Sequence, residues 1–455
     1  MPIYSGSHYC FYFTFAAIMK LVPDIIRKLN SDERKAFRLH MIYSALEGII
    51  LGVLALNEYV FIYSLRGSNY QLAFLFQFSM MVFVFLFIFN QFRKRIGNKR
   101  KMLRITGLLT RLPLILLALI PPDPAALSGQ SVWHYLFLIV FLVYFFGNII
   151  IYPAINVLLK TNYRHENFGK LYSYATSLNK IIILLATFSY GLWLDADNFA
   201  FRFVFPGIGL LGVISLFVLS GIDYSKVTQH PLAMKFRDSI KESWLNMVNI
   251  LKTNKPYLHF EIGFMFYGFS FMISVTIINI FFQDALNLNY TSVAFYKNAY
   301  NILAIILLPF FGKLLSNIDP RRFAALTFTA LFLYITFLLA TVYFPGNFEF
   351  MGIKVYYMLI ISFFFYGIFA ATMALLWFIG SAYFCKPGDA DDYQSVHLSL
   401  TGVRSLFAPV FGVYFYELIG FSGTFLLTMG TLLIAMGLMR WSYKRDKLMV
   451  MEEDQ

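Results

Sequence analysis

The sequence predicts an all-α membrane protein whose twelve transmembrane helices form two pseudo-symmetric halves of six. Apolar residues make up 59% of the 455 residues and charged residues 13%, against about 45–50% and about 25% in soluble domains. The apolar residues are gathered into runs long enough for a helix to cross about 30 Å of hydrocarbon. Basic residues collect between alternate runs. These three observations exclude a soluble enzyme.

The apolar runs fall into two sets of equal length. They are continuous, whereas a barrel strand alternates in polarity over about ten residues, so helices are the spanning element. The predicted spans are 38–64, 70–90, 105–121, 133–158, 171–194 and 201–222, then 258–282, 293–314, 323–344, 352–385, 394–417 and 421–442. The predicted division is a cytoplasmic amphipathic N-terminal segment (1–37, with Met19 as an alternative start), a first half (38–222), a cytoplasmic linker (223–257), a second half (258–442) and a cytoplasmic tail (443–455).

The basic residues predict the orientation. With both termini in the cytoplasm, the inside segments hold 30 of the 37 Lys and Arg residues, as the positive-inside rule requires. Four lie on the outer side, at or near span ends (Arg66, Arg202, Lys297 and Lys354), and three lie deep within spans (Arg111, Lys180 and Arg404). The net charge of +13 is then explained by topology and by contact with anionic lipid headgroups, without a nucleic-acid partner. The predicted location is a bacterial inner membrane.

The linker between the halves has an amphipathic pattern. Its apolar residues recur at helical spacing among lysines and arginines, at Phe236, Ile240, Trp244, Met247 and Leu251. A helix of this kind lies on the membrane surface with its apolar face in the headgroup region. We therefore expect an interfacial helix on the cytoplasmic side.

Two loops carry related motifs. The loop after the second span reads NQFRKRIGNK and the loop after the eighth reads GKLLSNIDPR. Both resemble the G-x-L-x-D-R-x-G-R-R motif of the major facilitator superfamily, and the first keeps Arg95, Gly97 and Lys99 while the second keeps Gly312 and Arg321. Both copies lack the acidic residue. The resemblance extends over residues 38–442, where two six-span halves are joined by a basic linker, and it implies a monomeric transporter with two repeated halves.

Two cations lie at equivalent depths in the two halves. With an offset of 224 residues, Ser173, Ser177 and Lys180 of the fifth span align with His397, Thr401 and Arg404 of the eleventh, and each trio lies on one helical face. One interpretation is that Lys180 and Arg404, with Ser177 and Thr401 beside them, bind an organic anion between the halves. The alternative is that each cation is neutralised within its own half and only holds helices together.

Other polar residues within the spans are candidates for coupling and binding. Glu47 is a candidate proton carrier or, alternatively, a structural partner of Lys180, and His397 is a candidate proton relay or a hydrogen-bonding histidine. Glu58 is nearer the outer end, where a wetted position is expected. Arg111 is expected to extend toward the inner headgroups. The side chains of Asn148, Asn301 and Trp377 either line the cavity or, for the amides, join helices.

Together these features predict a secondary active transporter that moves a small solute by alternating access. The prediction further specifies a proton-coupled symporter whose substrate is an organic anion. No P-loop, H-E-x-x-H motif or cluster with metal-ligand spacing is present in the sequence, so no cofactor, metal or enzyme activity is expected. The alternatives are a proton-driven exporter of amphipathic or drug-like compounds and, in another class, a non-transporting scaffold or enzyme. The expected partners are a small-molecule substrate, protons and membrane lipids.

Overall fold

The computed structural model describes residues 29–85, 98–223, 236–315, 317–385 and 390–453. Helices α1 to α7 precede the linker: Ser31–Leu54, Asn57–Tyr63, Asn69–Met81, Lys99–Arg111, Val132–Asn162, His165–Ala196 and Phe201–Leu219. Short 3-10 segments, Val82–Phe85 and Leu112–Leu119, extend α3 and α4. Helix α8, Phe236–Thr253, belongs to the linker. Helices α9 to α14 follow: Lys255–Ile280, Tyr290–Leu315, Pro320–Tyr343, Tyr357–Ile379, Ala390–Ser405 and Ala408–Glu453.

The described residues include ten helical segments that are long and apolar enough to cross a membrane. One of them, Asp392–Lys447, covers both the eleventh and the twelfth predicted spans and bends at Gly420, which has a φ of 67°. The second predicted span is described only as far as Phe85. The all-α membrane class is confirmed, while the count of twelve stays a prediction.

Helices on either side of the linker pack mainly among themselves. Helix α1 packs against α6 and α7, and α9 packs against α14. The approach of α1 to α6 depends on Gly48 and Gly52, which are four residues apart on one face of α1. A Cβ atom at Gly48 would lie 2.9 Å from the Asn179 carbonyl oxygen, and one at Gly52 would lie 2.8 Å from that of Ile183. Small residues at this spacing let two membrane helices touch through their backbones.

A two-stranded hairpin marks one end of the helix bundle. Strands β1 (Asn347–Phe350) and β2 (Ile353–Tyr356) pair antiparallel between α11 and α12. We call this end the hairpin end. The opposite end, where α1, α4 and α9 begin, carries most of the described lysines and arginines and is called the basic end. We call α1 to α7 the first helix set and α9 to α14 the second. The two sets meet where α3 packs against α13 and α14 and where α6 packs against α10.

The linker contains the helix that its pattern predicts. Met247 and Leu251 pack against the core, whereas Trp244 is exposed. Asn246 donates a hydrogen bond of 3.0 Å to Asp392 of α13. The side chains of Phe236 and Ile240 are outside the described part of the chain. The position of α8 on a membrane surface stays a prediction.

Candidate transport site

A cavity of about 310 Å³ lies between the two helix sets. Both sets supply its walls, with α1, α2, α3 and α6 on one side and α9, α10, α11 and α12 on the other. Its polar lining residues are Glu58, Thr187, Asn279, Lys297, Asn298 and Asn301, together with the tyrosines Tyr300, Tyr334 and Tyr366. Its volume is at the small end of the range for ligand sites, which is about 300–1,000 Å³. A cavity of this size fits a small solute.

An ion pair joins the two sets across this cavity. Lys297 Nζ of α10 lies 3.9 Å from Glu58 Oε2 of α2 and donates a hydrogen bond of 2.6 Å to the Ala55 carbonyl oxygen. That carbonyl is available because α1 ends at Leu54 and α2 begins at Asn57. The side chains of Lys297 and Glu58 are 20% and 22% exposed. Both charges therefore remain accessible from the cavity.

Three asparagine amides in the cavity wall have a fixed orientation. Asn279, Asn298 and Asn301 each donate from Nδ2 to a backbone carbonyl oxygen, at 3.2, 2.9 and 2.7 Å. A backbone carbonyl can only accept, so the amide nitrogen must face it and Oδ1 must face elsewhere. Each residue can thus offer its amide oxygen to a ligand, beside the second N–H of its amide nitrogen. The structure places Asn301 at the cavity, in agreement with the sequence expectation for that residue.

Aromatic rings form another part of the cavity wall. Tyr366 packs edge-on against Tyr300 with ring centroids 4.6 Å apart, and it lies 4.5 Å from Tyr334. Phe363 lies 5.6 Å from Tyr334 and extends the same cluster. Aromatic groups packed at these distances give a large and rigid apolar surface. The cavity therefore combines polar and charged groups with an aromatic surface.

Direct bonds between the two sets close the hairpin end. The Asp195 carboxylate of α6 accepts from the backbone N–H groups of Tyr290 and Thr291, at 2.8 and 2.9 Å, at the start of α10. Tyr290 and Ser64 share a hydrogen bond of 2.5 Å, and Tyr59 donates to the Leu288 carbonyl oxygen. Asp195 therefore caps a helix of the other set, where a negative charge is also favoured by the helix dipole.

We predict that Asp195→Ala opens the hairpin end. Losing a side-chain helix cap costs about 0.5–2 kcal/mol, so the open population should rise about 2- to 30-fold. The measurement is the labelling rate of a cysteine at Met80, in the cavity wall, by an impermeant maleimide from the hairpin side, in a protein without its native cysteines. Asp197→Ala is the matched control, because Asp197 bonds Phe199 N within its own set. Equal labelling rates in the two variants would contradict the role of Asp195.

Arg404 does not reach the cavity. Its side chain is 2% exposed, Nη1 donates to the Phe264 carbonyl oxygen of α9, and the guanidinium lies 5.8 Å from the Tyr267 ring. Gly268 leaves the space that the guanidinium fills. Thr401 is also buried. The proposed pair of cavity cations is not assembled, because this face of α13 packs on α9, as in the alternative that each cation is held within its own half.

Lys180 and Ser177 are both exposed. Lys180 lies three and seven residues before Ile183 and Thr187, which line the cavity. This spacing places Lys180 on the same face of α6 but nearer the basic end. The contacts of this face with α10 lie further along, at Leu184 and Gly191. Lys180 is therefore outside the cavity wall, on the side of the basic end.

His397 is held inside the second set by an acid that the sequence analysis missed. Its Nδ1 lies 3.0 Å from Glu261 Oε1, and both residues are buried. Trp377 packs edge-on against the His397 ring at 4.9 Å and is absent from the cavity lining. Glu261 falls inside the predicted span 258–282, so its place in an apolar run was a usable signal. The hydrogen-bonding alternative describes His397.

Glu47, Arg111 and Asn148 form a buried network within the first set. Glu47 Oε1 accepts from Ser215 at 2.6 Å, and Arg111 donates at 2.9 Å to both the Tyr144 carbonyl oxygen and Asn148 Oδ1. The Arg111 guanidinium lies 3.7 Å from the Tyr144 ring. Arg111 is only 2% exposed, so the expectation that it extends to the headgroups is wrong.

The same contacts decide the positions of Glu47 and Asn148. Glu47 interacts electrostatically with Arg111 and is bonded by Ser215, so the alternative pairing with Lys180 is not formed. The Asn148 side chain faces Arg111 and does not line the cavity. Room for the Arg111 side chain comes from Gly212, where a Cβ atom would lie 3.0 Å from Arg111 Cγ.

The structure describes three of the five residues that the two loop motifs keep. Arg95 and Gly97 lie outside the described residues, and Lys99 begins α4. Gly312 lies in α10 with open space around its Cβ position. Arg321 is buried at the start of α11, where it pairs with Asp319 at 3.0 Å and with Asp446 of α14. The motif lacks its own acid, but these two acids pair with Arg321 and hold it within the second set.

Comparison with known proteins agrees with this architecture. The family model described as Major Facilitator Superfamily matches residues 36–353. A mutant form of the nucleoside transporter NupG is similar with a TM-score of 0.67 at 13% identity, over 90% of this chain and 99% of that chain. A bacterial homologue of the human lysosomal transporter Spinster, inward-facing and unoccupied, has a TM-score of 0.61 at 13% identity, over 91% and 98%.

A third similar structure is the peptide transporter POT in complex with alafosfalin, with a TM-score of 0.64 at 13% identity, over 90% of this chain and 94% of that chain. No curated protein matches the sequence. These findings confirm the fold and the transporter class that the sequence predicts, and with them the expectation that the chain is not an enzyme.

Proposed function

Because the chain belongs to the major facilitator superfamily, we propose that it binds a small solute in the cavity between its two helix sets and moves it across the membrane by alternating access. The observation that carries this proposal is the Glu58–Lys297 pair, which joins the two sets inside the cavity. A ligand that binds there contacts both sets at once. Its binding can therefore favour one arrangement of the two sets over another.

The direction of opening follows from the two ends of the bundle. The hairpin end is closed by the bonds of Asp195, Tyr59 and Ser64 to the other set. Toward the basic end, Lys180 and Ser177 of α6 are exposed, whereas the contacts of α6 with α10 at Leu184 and Gly191 lie nearer the hairpin end. With the basic end in the cytoplasm of a bacterial inner membrane, this arrangement supports a conformation whose cavity opens inward.

Glu58 is the best-supported proton carrier. Protonation would cancel its charge and release Lys297, which changes the contact between the two sets. Glu47, the carrier suggested by the sequence, is instead held by Ser215 within one set and lies away from the cavity. We therefore assign coupling to Glu58 and a structural role to Glu47 and to His397.

The organic-anion substrate loses its main support. It depended on Lys180 and Arg404 sharing one site, and Arg404 is turned toward α9. Export of an amphipathic compound is the second candidate, because the tyrosine cluster at Tyr300, Tyr334 and Tyr366 offers an aromatic surface for it. A balanced ion pair beside that surface favours a polar solute over a purely apolar one.

We predict that Glu58→Gln abolishes proton-driven accumulation and leaves exchange at a reduced rate, since the amide keeps the shape of the carboxylate but cannot carry a proton. The assay is uptake into proteoliposomes with an imposed pH gradient, using radiolabelled amino acids, dipeptides, nucleosides, carboxylates and sugars. Glu349→Gln, at an exposed residue of the hairpin, is the control and should accumulate like the wild type. Accumulation by Glu58→Gln equal to the wild type would remove Glu58 from coupling.

A further inference from the structure

The charges in the cavity are balanced but loosely paired. Glu58 and Lys297 are the only charged residues in its described lining. Their 3.9 Å separation is longer than the distance of about 2.7–2.9 Å in a charge-assisted hydrogen bond. A ligand with a net charge would satisfy one of them and leave the other unbalanced in an apolar setting, which is costly. A ligand that carries both charges satisfies both.

Polar groups beside the ion pair add to its match with a ligand of two charges. The amide oxygens of Asn279, Asn298 and Asn301 add acceptors to the Glu58 carboxylate, and each amide also uses one of its two N–H groups on a backbone carbonyl. Lys297 is the one charged donor of the described lining. An ammonium group has three donors and no acceptor, so it matches this acceptor-rich side. One carboxylate on the ligand would match Lys297, whereas a second carboxylate or a phosphate would find no second cation in the described lining.

The rest of the ligand must be compact and at least partly apolar. The tyrosine cluster and Phe363 face a volume of about 310 Å³, which suits one branched or aromatic side chain. We propose that the substrate is a zwitterionic amino compound of amino-acid to dipeptide size. Its ammonium lies between Glu58 and the amide oxygens of Asn298 and Asn301, and its carboxylate lies at Lys297. This inference rests on the proposed transport function and adds the chemical class of the substrate.

The test compares a zwitterion with analogues that lack one charge. Melting of the full-length protein in detergent is measured with L-phenylalanine, L-leucine and phenylalanyl-leucine, then with phenethylamine, which lacks the carboxylate, and 3-phenylpropionate, which lacks the amine. At least one zwitterion should raise the melting temperature by a few degrees. Neither singly charged analogue should do so in the wild type. Equal stabilisation by an analogue and by its parent zwitterion would overturn the inference.

Replacing one member of the ion pair should change which of these compounds stabilises the protein. In Glu58→Gln, Lys297 is no longer balanced, so 3-phenylpropionate should become stabilising and the zwitterion less so. In Lys297→Gln, phenethylamine should become the stabilising analogue. Glu349→Gln should behave like the wild type with every compound. If a variant loses stabilisation by the zwitterion and gains none from a singly charged analogue, the pair supports the fold and does not bind the ligand. That result would contradict the roles given to Glu58 and Lys297.

Transport assays separate this inference from the function on which it rests. Glu58-dependent uptake of a nucleoside, sugar or dicarboxylate, with no response to any zwitterion, would overturn the zwitterion class and leave the transport function standing. Absence of uptake for every solute class would overturn both. Uptake of a zwitterion that neither singly charged analogue inhibits would support both the transport function and the zwitterion class.

Discussion

Arg111→Met should lower the free energy of unfolding by about 3–5 kcal/mol, the cost of removing one partner from a buried polar network. The variant takes two hydrogen bonds from Tyr144 and Asn148 and the nearby positive charge from Glu47. Methionine fills much of the same volume, so the loss is mainly electrostatic. The measurement is equilibrium unfolding of the purified protein in detergent, with Arg100→Met as the control at an exposed position of the same helix.

The pairing of Arg111 with Glu47 is tested by a double-mutant cycle. If the two charges stabilise each other, Arg111→Met combined with Glu47→Gln should cost less than the sum of the single changes, by about 0.5–3 kcal/mol. The wild-type ligand preference should persist in the folded fraction, since neither residue lines the cavity. A loss for Arg111→Met no larger than that for Arg100→Met would mean that Arg111 is not buried as described.

The fold could be predicted largely from apolar run length and from the placement of basic residues, because both are local properties of the chain. Eleven of the twelve predicted spans fall on the ten long apolar helical segments of the described residues, because one segment covers two spans. The repeat alignment also placed His397, Thr401 and Arg404 on one helical face. It could not predict which neighbour that face meets, because rotation of a helix is set by packing. Gly268 of α9 leaves room for Arg404, and this turns the face away from the cavity.

The cavity pair was missed for a related reason. Glu58 and Lys297 belong to different halves and are 239 positions apart (297 minus 58) in the sequence, so no spacing rule connects them. Each lies near the predicted outer end of a span, where a solvated side chain is the usual outcome. Lys297 lies five residues into the predicted span 293–314, and that position was the signal that it could face an interior. Only contact between the halves identifies its partner.

Gly52→Ala should destabilise the protein by about 1–3 kcal/mol, the usual cost of adding volume to a well-packed interface. The new Cβ atom would lie 2.6 Å from the Ala186 Cβ atom and 2.8 Å from the Ile183 carbonyl oxygen. Neither neighbour can rotate away, since one is a methyl group on the helix and the other is backbone. Helices α1 and α6 must then separate, which weakens the 2.9 Å bond from Thr187 Oγ1 to the Gly52 carbonyl oxygen.

Gly437→Ala is the matched control, because Gly437 also lies in a long helix but has no atom within 4 Å of its Cβ position. It should keep or slightly raise the melting temperature, since alanine favours a helix by about 0.5–1 kcal/mol over glycine. Valine at the two positions should widen the difference. Thr187 lines the cavity, so Gly52→Ala should also weaken ligand-induced stabilisation. Equal melting temperatures of the two alanine variants would mean that α1 and α6 do not touch through their backbones. That result would also contradict the placement of Thr187 in the cavity wall.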